Sequence, residues 1–239
     1  MANIFNSENL KNDYTDFKAE IFKTNRFVVS RDFADTTNFK KFHHLIYAIA
    51  LIHTKCQQNW PKSPNRHAYI GEIRSDALAF SCIVLQGYKQ SGMILLRRII
   101  ENFYNQVYFF EHPVEFELLN LGKNEYTPLN GLKNYLQSHP VFIERSSFVK
   151  DYNESIYKNY QFLCKTVHTK GISFMGLAKN LKELKRNSEV ERNFKIASII
   201  LEAIIFILYK FHCDLSYSNS EKMLISKLIP KEKRSALHN

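Results

Sequence analysis

The fold is decided above all by residues 93–110, which read MILLRRIIENFYNQVYFF. Arg97, Glu101 and Tyr104 recur every three or four residues, the spacing that places side chains on one face of an α-helix. Most other positions are apolar and would cover the remaining helix surface: Leu95, Leu96, Ile99, Ile100, Phe103 and Val107. The stretch therefore predicts a largely buried helix that carries one charged stripe.

The composition extends this helical pattern to the whole chain. Of its 239 residues, 45% are hydrophobic and 14% aromatic, but only 7 are glycine and 6 are proline. Glycine and proline interrupt helices, so their scarcity beside long periodic apolar runs favours helices throughout. We therefore predict an all-α fold, an antiparallel helical bundle with an irregular insertion of short helices.

The helical periodicity divides the chain, residues 1–239, into regions of a single predicted domain. Residues 1–35 form a lead-in, 36–112 and 150–215 hold the bundle helices, 113–149 the insertion, and 216–239 a basic C-terminal tail. The predicted bundle helices are Phe39–Gln58, His67–Gln86, Met93–Phe110, Tyr152–His168 and one that ends at Cys213. The predicted helix caps are Thr37 or Asn38, Ser188 with Glu191 as a capping box, and Ser220.

The last bundle helix contains residues 196–213, an almost continuous apolar stretch about as long as a bilayer span. Glu202 lies near its centre, where a charge in lipid would be costly, so a helix buried by its neighbours is favoured. The N-terminus lacks the basic-then-apolar order of a signal peptide, and the four cysteines have no Cys-x-x-Cys spacing. We therefore expect a cytoplasmic protein without a membrane span, a disulfide framework or a zinc site.

A second informative segment, residues 160–168, reads YQFLCKTVH. His168 closes this predicted helix, and Cys164 lies four residues before it, on the same face. No motif supports a Cys–His nucleophile here, and zinc would need two further ligands. The charged stripe around Arg97 is either an internal ion-pair network or a functional site, and the sequence leaves both possibilities open.

These two segments resemble HEPN-like (higher eukaryote and prokaryote nucleotide-binding) abortive-infection domains of bacteria. The resemblance runs from Asp76-Ala77-Leu78-Ala79 through Gly87-Tyr88, Leu96-Arg97 and Glu101 to His112-Pro113, and continues in Tyr160 to His168. It implies an antiparallel helical bundle, often dimeric. Some members are metal-independent ribonucleases, and others are inactive scaffolds or antitoxin partners.

The resemblance implies two functions in anti-phage or toxin-type defence. The first is a non-catalytic helical subunit that bridges a nuclease or ATPase partner and nucleic acid. A second copy of the chain is an alternative protein partner. The alternative is a metal-independent ribonuclease effector in which His168 acts with Arg97 or Arg98 and Glu101. Nuclease members carry an arginine four to six residues before the histidine, and this chain has none there. Arg97 or Arg98 would therefore have to reach His168 from another helix or from a second copy.

The basic residues predict where the chain could contact nucleic acid. The net charge is +10, which favours an anionic partner, although the same excess can serve solubility alone. The candidate nucleic-acid contacts are Lys179, Lys182, Lys185 and Arg186, together with Lys231, Lys233 and Arg234. Such residues bind phosphates through charge rather than base identity, and an ordinary solvated face is the simpler interpretation. No motif predicts a cofactor.

Overall fold

All secondary structure in the described part of the chain is helical, as predicted. The computed structural model describes residues 5–24, 36–123, 127–143, 147–168 and 189–238. The α-helices are α1 (Ser7–Thr24), α2 (Thr37–Asn59), α3 (Ala68–Leu85), α4 (Lys89–Glu111), α5 (Pro113–Asn120), α6 (Leu129–Ser138), α7 (Pro140–Ile143), α8 (Ser147–Val167), α9 (Val190–Phe211), α10 (Asn219–Leu228) and α11 (Ser235–His238). The all-α bundle is confirmed.

Helix α9 lies at the centre of the core because it is apolar on nearly every side. Its Phe194 ring packs edge-on against Phe39, Phe42 and Phe80, at centroid distances of 5.3, 5.0 and 5.3 Å. Such edge-to-face contacts fix the angle at which α2 and α3 meet α9.

The charge at the centre of α9 is neutralised by its neighbours. The Glu202 carboxylate accepts hydrogen bonds from Lys41 Nζ at 2.9 Å and from the Tyr152 hydroxyl at 3.3 Å. The prediction that neighbouring helices bury this helix is confirmed, but the helix ends at Phe211, two residues before the predicted Cys213. Among the described helices, none has the length and apolar content needed to cross a membrane.

Helices α3 and α4 form a hairpin that positions the predicted charged stripe. Gly87 makes the turn with a φ of 89°, a conformation that glycine adopts without steric cost. Helix α4 then begins at Lys89, four residues before the predicted Met93. At Gly92 the two helices come so close that a Cβ atom would lie 2.5 Å from Val84 Cγ2. This close contact fixes the position of the following turns of α4 along α3.

The predicted helix caps are wrong by one or two residues. Thr36, rather than Thr37 or Asn38, caps α2 by accepting a hydrogen bond from the Phe39 amide at 3.3 Å. Ser218, rather than Ser220, caps α10 in a complete capping box with Glu221. Each correct residue lies next to an equally suitable polar residue, so residue type alone does not select the cap.

The start of α9 also differs from the prediction. Glu189 occupies its N-cap position with a φ of 45°, in the left-handed region, and makes no side-chain cap hydrogen bond. Its carboxylate instead pairs with Lys89 Nζ at 2.9 Å, which ties the start of α9 to the start of α4. Ser188, the predicted cap, lies outside the described residues.

The predicted insertion and basic tail both pack against the bundle. Leu132 and Leu136 of α6 are buried, as are Ile225 of α10 and Leu237 of α11. Lys231–Lys233 forms a single turn of 3₁₀ helix between α10 and α11. The C-terminal segment therefore contributes apolar side chains to the core as well as basic ones to the surface.

Candidate functional site

The charged stripe of α4 is built around an ion pair between Arg97 and Glu101. Arg97 Nε donates to Glu101 Oε1 at 2.9 Å, across one turn of the helix. The Arg97 and Glu101 side chains are 27% and 19% exposed, so both are recessed but reachable from solvent. Because this bond uses only the Nε–H group, it leaves the terminal nitrogens of Arg97 directed to other partners.

Helix α8 brings His168 to this ion pair. Arg97 Nη1 lies 3.5 Å from His168 Nε2, although the two residues are 71 positions apart. The contacts Tyr104–Asn153, Glu101–Tyr160 and Arg97–His168 show that α8 runs antiparallel to α4. His168 follows the last residue of α8, Val167, and its side chain is exposed. The imidazole therefore lies just beyond the C-terminal end of α8, beside α4.

Tyr160 completes the cluster from the middle of α8. Its hydroxyl donates to Glu101 Oε1 at 3.3 Å, and its ring centroid lies 5.8 Å from Arg97 Cζ. Burial is the main cause that raises the pKa of Tyr160, and the neighbouring Cys164 and Glu101 raise it further. The hydroxyl is therefore protonated at neutral pH and acts as a donor to the carboxylate.

The Arg97 guanidinium stays charged in this environment. Partial burial lowers its pKa, but the opposite charge of Glu101 and the groups on α8 outweigh burial, so the net shift is upward. A permanently charged fork of N–H donors beside an imidazole suits a phosphate group, because the donors bind its oxygens while the imidazole exchanges a proton. The arrangement can therefore bind a phosphodiester and carry out acid–base chemistry on it.

Arg98 belongs to a different cluster, on the α3 side of the same helix. Its terminal nitrogens pair with Glu72 at 3.3 Å and with Asp76 at 3.4 Å, and Asn102 also donates to Asp76. Burial raises the pKa of Asp76 more than the charge of Arg98 lowers it. Of the two arginines that the sequence offered as partners for His168, Arg97 lies beside it, whereas Arg98 faces α3 and pairs with Glu72 and Asp76.

The predicted nucleic-acid contacts are placed only in part. Lys179, Lys182, Lys185 and Arg186 lie outside the described residues. Lys231 is exposed, whereas Lys233 Nζ lies 3.8 Å from the centre of the Tyr152 ring. Arg234 Nε donates to the Ile229 carbonyl at 2.9 Å, near the end of α10. Lys233 and Arg234 therefore contact the protein itself, and Lys231 alone of these three extends from an exposed turn.

Tyr160 is not among the predicted site residues, although the sequence carries a signal for it. Tyr160, Cys164 and His168 are spaced four residues apart, so they share one face of α8. That face meets Arg97, and Tyr160 is the residue that bonds Glu101. A search for polar side chains at this spacing before His168 would have included the tyrosine.

A second polar cluster was also missed, at the junction of α4 with α6. Glu111 Oε2 accepts hydrogen bonds from the Tyr135 hydroxyl at 2.8 Å and from His139 Nε2 at 3.0 Å. His139 Nδ1 in turn accepts from the Val141 amide at 3.3 Å. Both nitrogens of the buried imidazole are thus satisfied, and the cluster fastens α6 and α7 to the end of α4.

No group of three or more His, Cys, Asp or Glu side chains in the described part of the chain is arranged to hold a metal ion. No family model matches the chain, and neither curated proteins nor solved structures show a match to it. The chemistry of the cluster of Arg97, Glu101, Tyr160 and His168 is therefore the basis for assigning a function.

Proposed function

We propose that the chain is a ribonuclease effector of a bacterial defence system, with its active site at Arg97, Glu101 and His168. The main support is the 3.5 Å distance from Arg97 Nη1, on α4, to His168 Nε2, at the end of α8. The sequence lacks an arginine just before the histidine, and Arg97 supplies one within the same chain. The defence role rests on the resemblance of these two segments to HEPN-like domains.

The reaction follows from the positions of the Arg97 and His168 side chains. Arg97 binds the non-bridging oxygens of a phosphodiester and stabilises the charge that develops as the 2′-oxygen attacks phosphorus. His168 takes the proton from the ribose 2′-hydroxyl or donates one to the departing 5′-oxygen, and solvent water accepts or supplies the other proton. The new bond joins the 2′-oxygen to phosphorus and the P–O5′ bond breaks. The products are a 2′,3′-cyclic phosphate and a 5′-hydroxyl.

The test compares purified wild-type protein with Arg97→Ala, His168→Ala and Arg98→Ala on end-labelled RNA, with EDTA present. Arg97→Ala and His168→Ala should each lower the cleavage rate by about 100-fold or more. Arg98→Ala is the matched control, because it removes the adjacent arginine without removing the contact to His168. Equal loss in all three variants, or cleavage that survives without His168, would refute the assignment.

A second candidate function, a non-catalytic subunit, is favoured by an exposed apolar face on α5. Val114, Leu118 and Leu121 are 67%, 37% and 63% exposed, and their spacing of four and three residues places them on one side. Three exposed apolar side chains on one side of α5 and the residue after it offer a surface on which a protein partner can pack. In this case the chain would dock a nuclease or ATPase partner through α5 and contact nucleic acid through its basic residues.

Co-purification from the native host separates the two candidates. A Val114→Asp, Leu121→Asp double variant should lose a stoichiometric partner if the chain is a subunit, while His168→Ala should retain it. Charge reversal at Lys182, Lys185 and Arg186 should then weaken nucleic-acid binding and reduce its dependence on salt. A chain that is recovered alone, and that is toxic on expression only when His168 is present, would support the effector and exclude the subunit.

A further inference from the structure

We infer that Tyr160 is a positioning residue that keeps the Arg97 guanidinium available to substrate by holding Glu101. The inference rests on the proposed function for its effect on catalysis, but its structural part concerns the three side chains alone. Arg97 Nε and the Tyr160 hydroxyl both donate to the same oxygen, Glu101 Oε1, at 2.9 and 3.3 Å. Tyr160 therefore acts on Arg97 through the carboxylate that the two residues share.

The shared oxygen determines how Arg97 can bind Glu101. Arginine and a carboxylate form their strongest pair when two N–H groups face both oxygens. Here Tyr160 holds Oε1 from the α8 side, and Arg97 meets the carboxylate through Nε alone. Without the hydroxyl, the carboxylate is free to rotate and take a terminal nitrogen of Arg97 as well. That nitrogen would then be lost to a bound phosphate.

The Tyr160 ring limits the same movement from another direction. Its centroid lies 5.8 Å from Arg97 Cζ, close enough for the cation and the ring to attract each other. The ring stays in a Tyr160→Phe variant, whereas the hydroxyl does not. This substitution therefore removes the contacts of the hydroxyl, to Glu101 and to Cys164, and keeps the ring contact and the packing of α8.

Tyr157, one turn earlier on α8, provides the matched control. Its ring faces Lys133 Nζ at 4.6 Å rather than Arg97. Tyr157→Phe also removes one phenolic hydroxyl from the partly buried side of α8, but not the bond to Glu101. A general effect of losing a hydroxyl on this helix would appear in both variants.

The first measurement is RNA cleavage under single-turnover and steady-state conditions. Tyr160→Phe should lower kcat about tenfold and should change KM less. The factor is modest because the lost hydrogen bond to the Glu101 carboxylate is long, at 3.3 Å, and therefore weak for a bond to a charged group. In a Glu101→Ala background, Tyr160→Phe should have no further effect, because a residue that acts through Glu101 has nothing left to act on. An additional loss in that background, or an equal loss in Tyr157→Phe, would overturn the inference.

The second measurement needs no catalysis. Hydrogen exchange of the Arg97 Nε–H group, followed by NMR in the free protein, reports how firmly Glu101 holds it. Tyr160→Phe should change this exchange rate severalfold and Tyr157→Phe should leave it as in wild type; an unchanged rate in Tyr160→Phe overturns the inference. If the wild type cleaves no RNA but the exchange rate responds to Tyr160→Phe alone, the proposed function fails while the positioning of Arg97 by Tyr160 stands.

Discussion

Replacing His212 with leucine should raise the free energy of unfolding, because the imidazole is buried without a hydrogen-bond partner. His212 follows the end of α9 and is 2% exposed, and neither ring nitrogen has a partner among the described residues. Aromatic rings enclose it: the centroids of Trp60, Phe110 and Phe211 lie 6.0, 5.1 and 5.0 Å away. Burying such a polar group costs free energy that an apolar side chain of similar volume would not.

The magnitude depends on pH, and its sign follows from the pKa. Burial, followed by the nearby charge of Arg66, lowers the pKa of His212 from 6.5 to about 3. Below pH 6.5 His212 therefore binds a proton in the unfolded chain but not in the folded chain. The free energy of unfolding decreases as the pH is lowered from 6.5 to about 3. Leucine should stabilise by about 1–2 kcal/mol at pH 7, the lower part of the cost of an unsatisfied buried group. At pH 5 the wild type loses roughly another 2 kcal/mol, so the difference widens to about 3–4 kcal/mol.

The assay is urea unfolding at pH 7 and pH 5, followed by the fluorescence of Trp60, the one tryptophan of the chain. His212→Gln is the matched control, because the amide stays polar and buried but does not titrate. His212→Gln should remove the pH dependence of stability that is due to His212. It should not raise the free energy of unfolding at pH 7, as leucine does. A leucine variant that is less stable at pH 7, and whose difference from wild type is the same at pH 5, would refute the reasoning.

Two further predictions concern backbone positions. Gly92→Ala should lower the free energy of unfolding by about 1–3 kcal/mol, because its Cβ atom would lie 2.5 Å from Val84 Cγ2. In Gly131→Ala the Cβ atom would lie 3.7 Å from Thr127 Cγ2, an ordinary contact, so this variant should raise the free energy of unfolding by up to about 1 kcal/mol. Ser218→Ala should cost about 1 kcal/mol through loss of the α10 cap and Ser220→Ala much less. Thermal unfolding measures both pairs, and a reversed order within either pair would contradict its explanation.

The long helices were predictable because their signal is spread over many residues. In α4 and α9 the apolar positions repeat over five or six turns, so one misleading residue changes little. Helix ends depend on one or two residues, and adjacent candidates such as Ser218 and Ser220 are chemically equivalent. Which of them lies at the end is set by where α10 packs against α2, and that is a contact between distant segments.

The difference between local periodicity and long-range packing also explains which parts of the candidate site could be predicted. Periodicity placed Arg97 and Glu101 on one face of α4, but it could not relate that face to α8. It also could not separate Arg97 from Arg98, because consecutive helical residues point about 100° apart and either could face α8. The packing of α3 decides between them: Asp76 and Glu72 pair with Arg98, and this leaves the other side of α4 to α8.

Arg97 and Arg98 lie on different sides of α4. Arg98 faces α3, where it pairs with Glu72 and Asp76. Arg97 faces α8, where it lies beside His168. The ion pairs on the α3 side and the cluster on the α8 side are therefore two separate faces of one helix. The alternatives of structural network and functional site, which the sequence left open for the whole stripe, apply separately to these two faces.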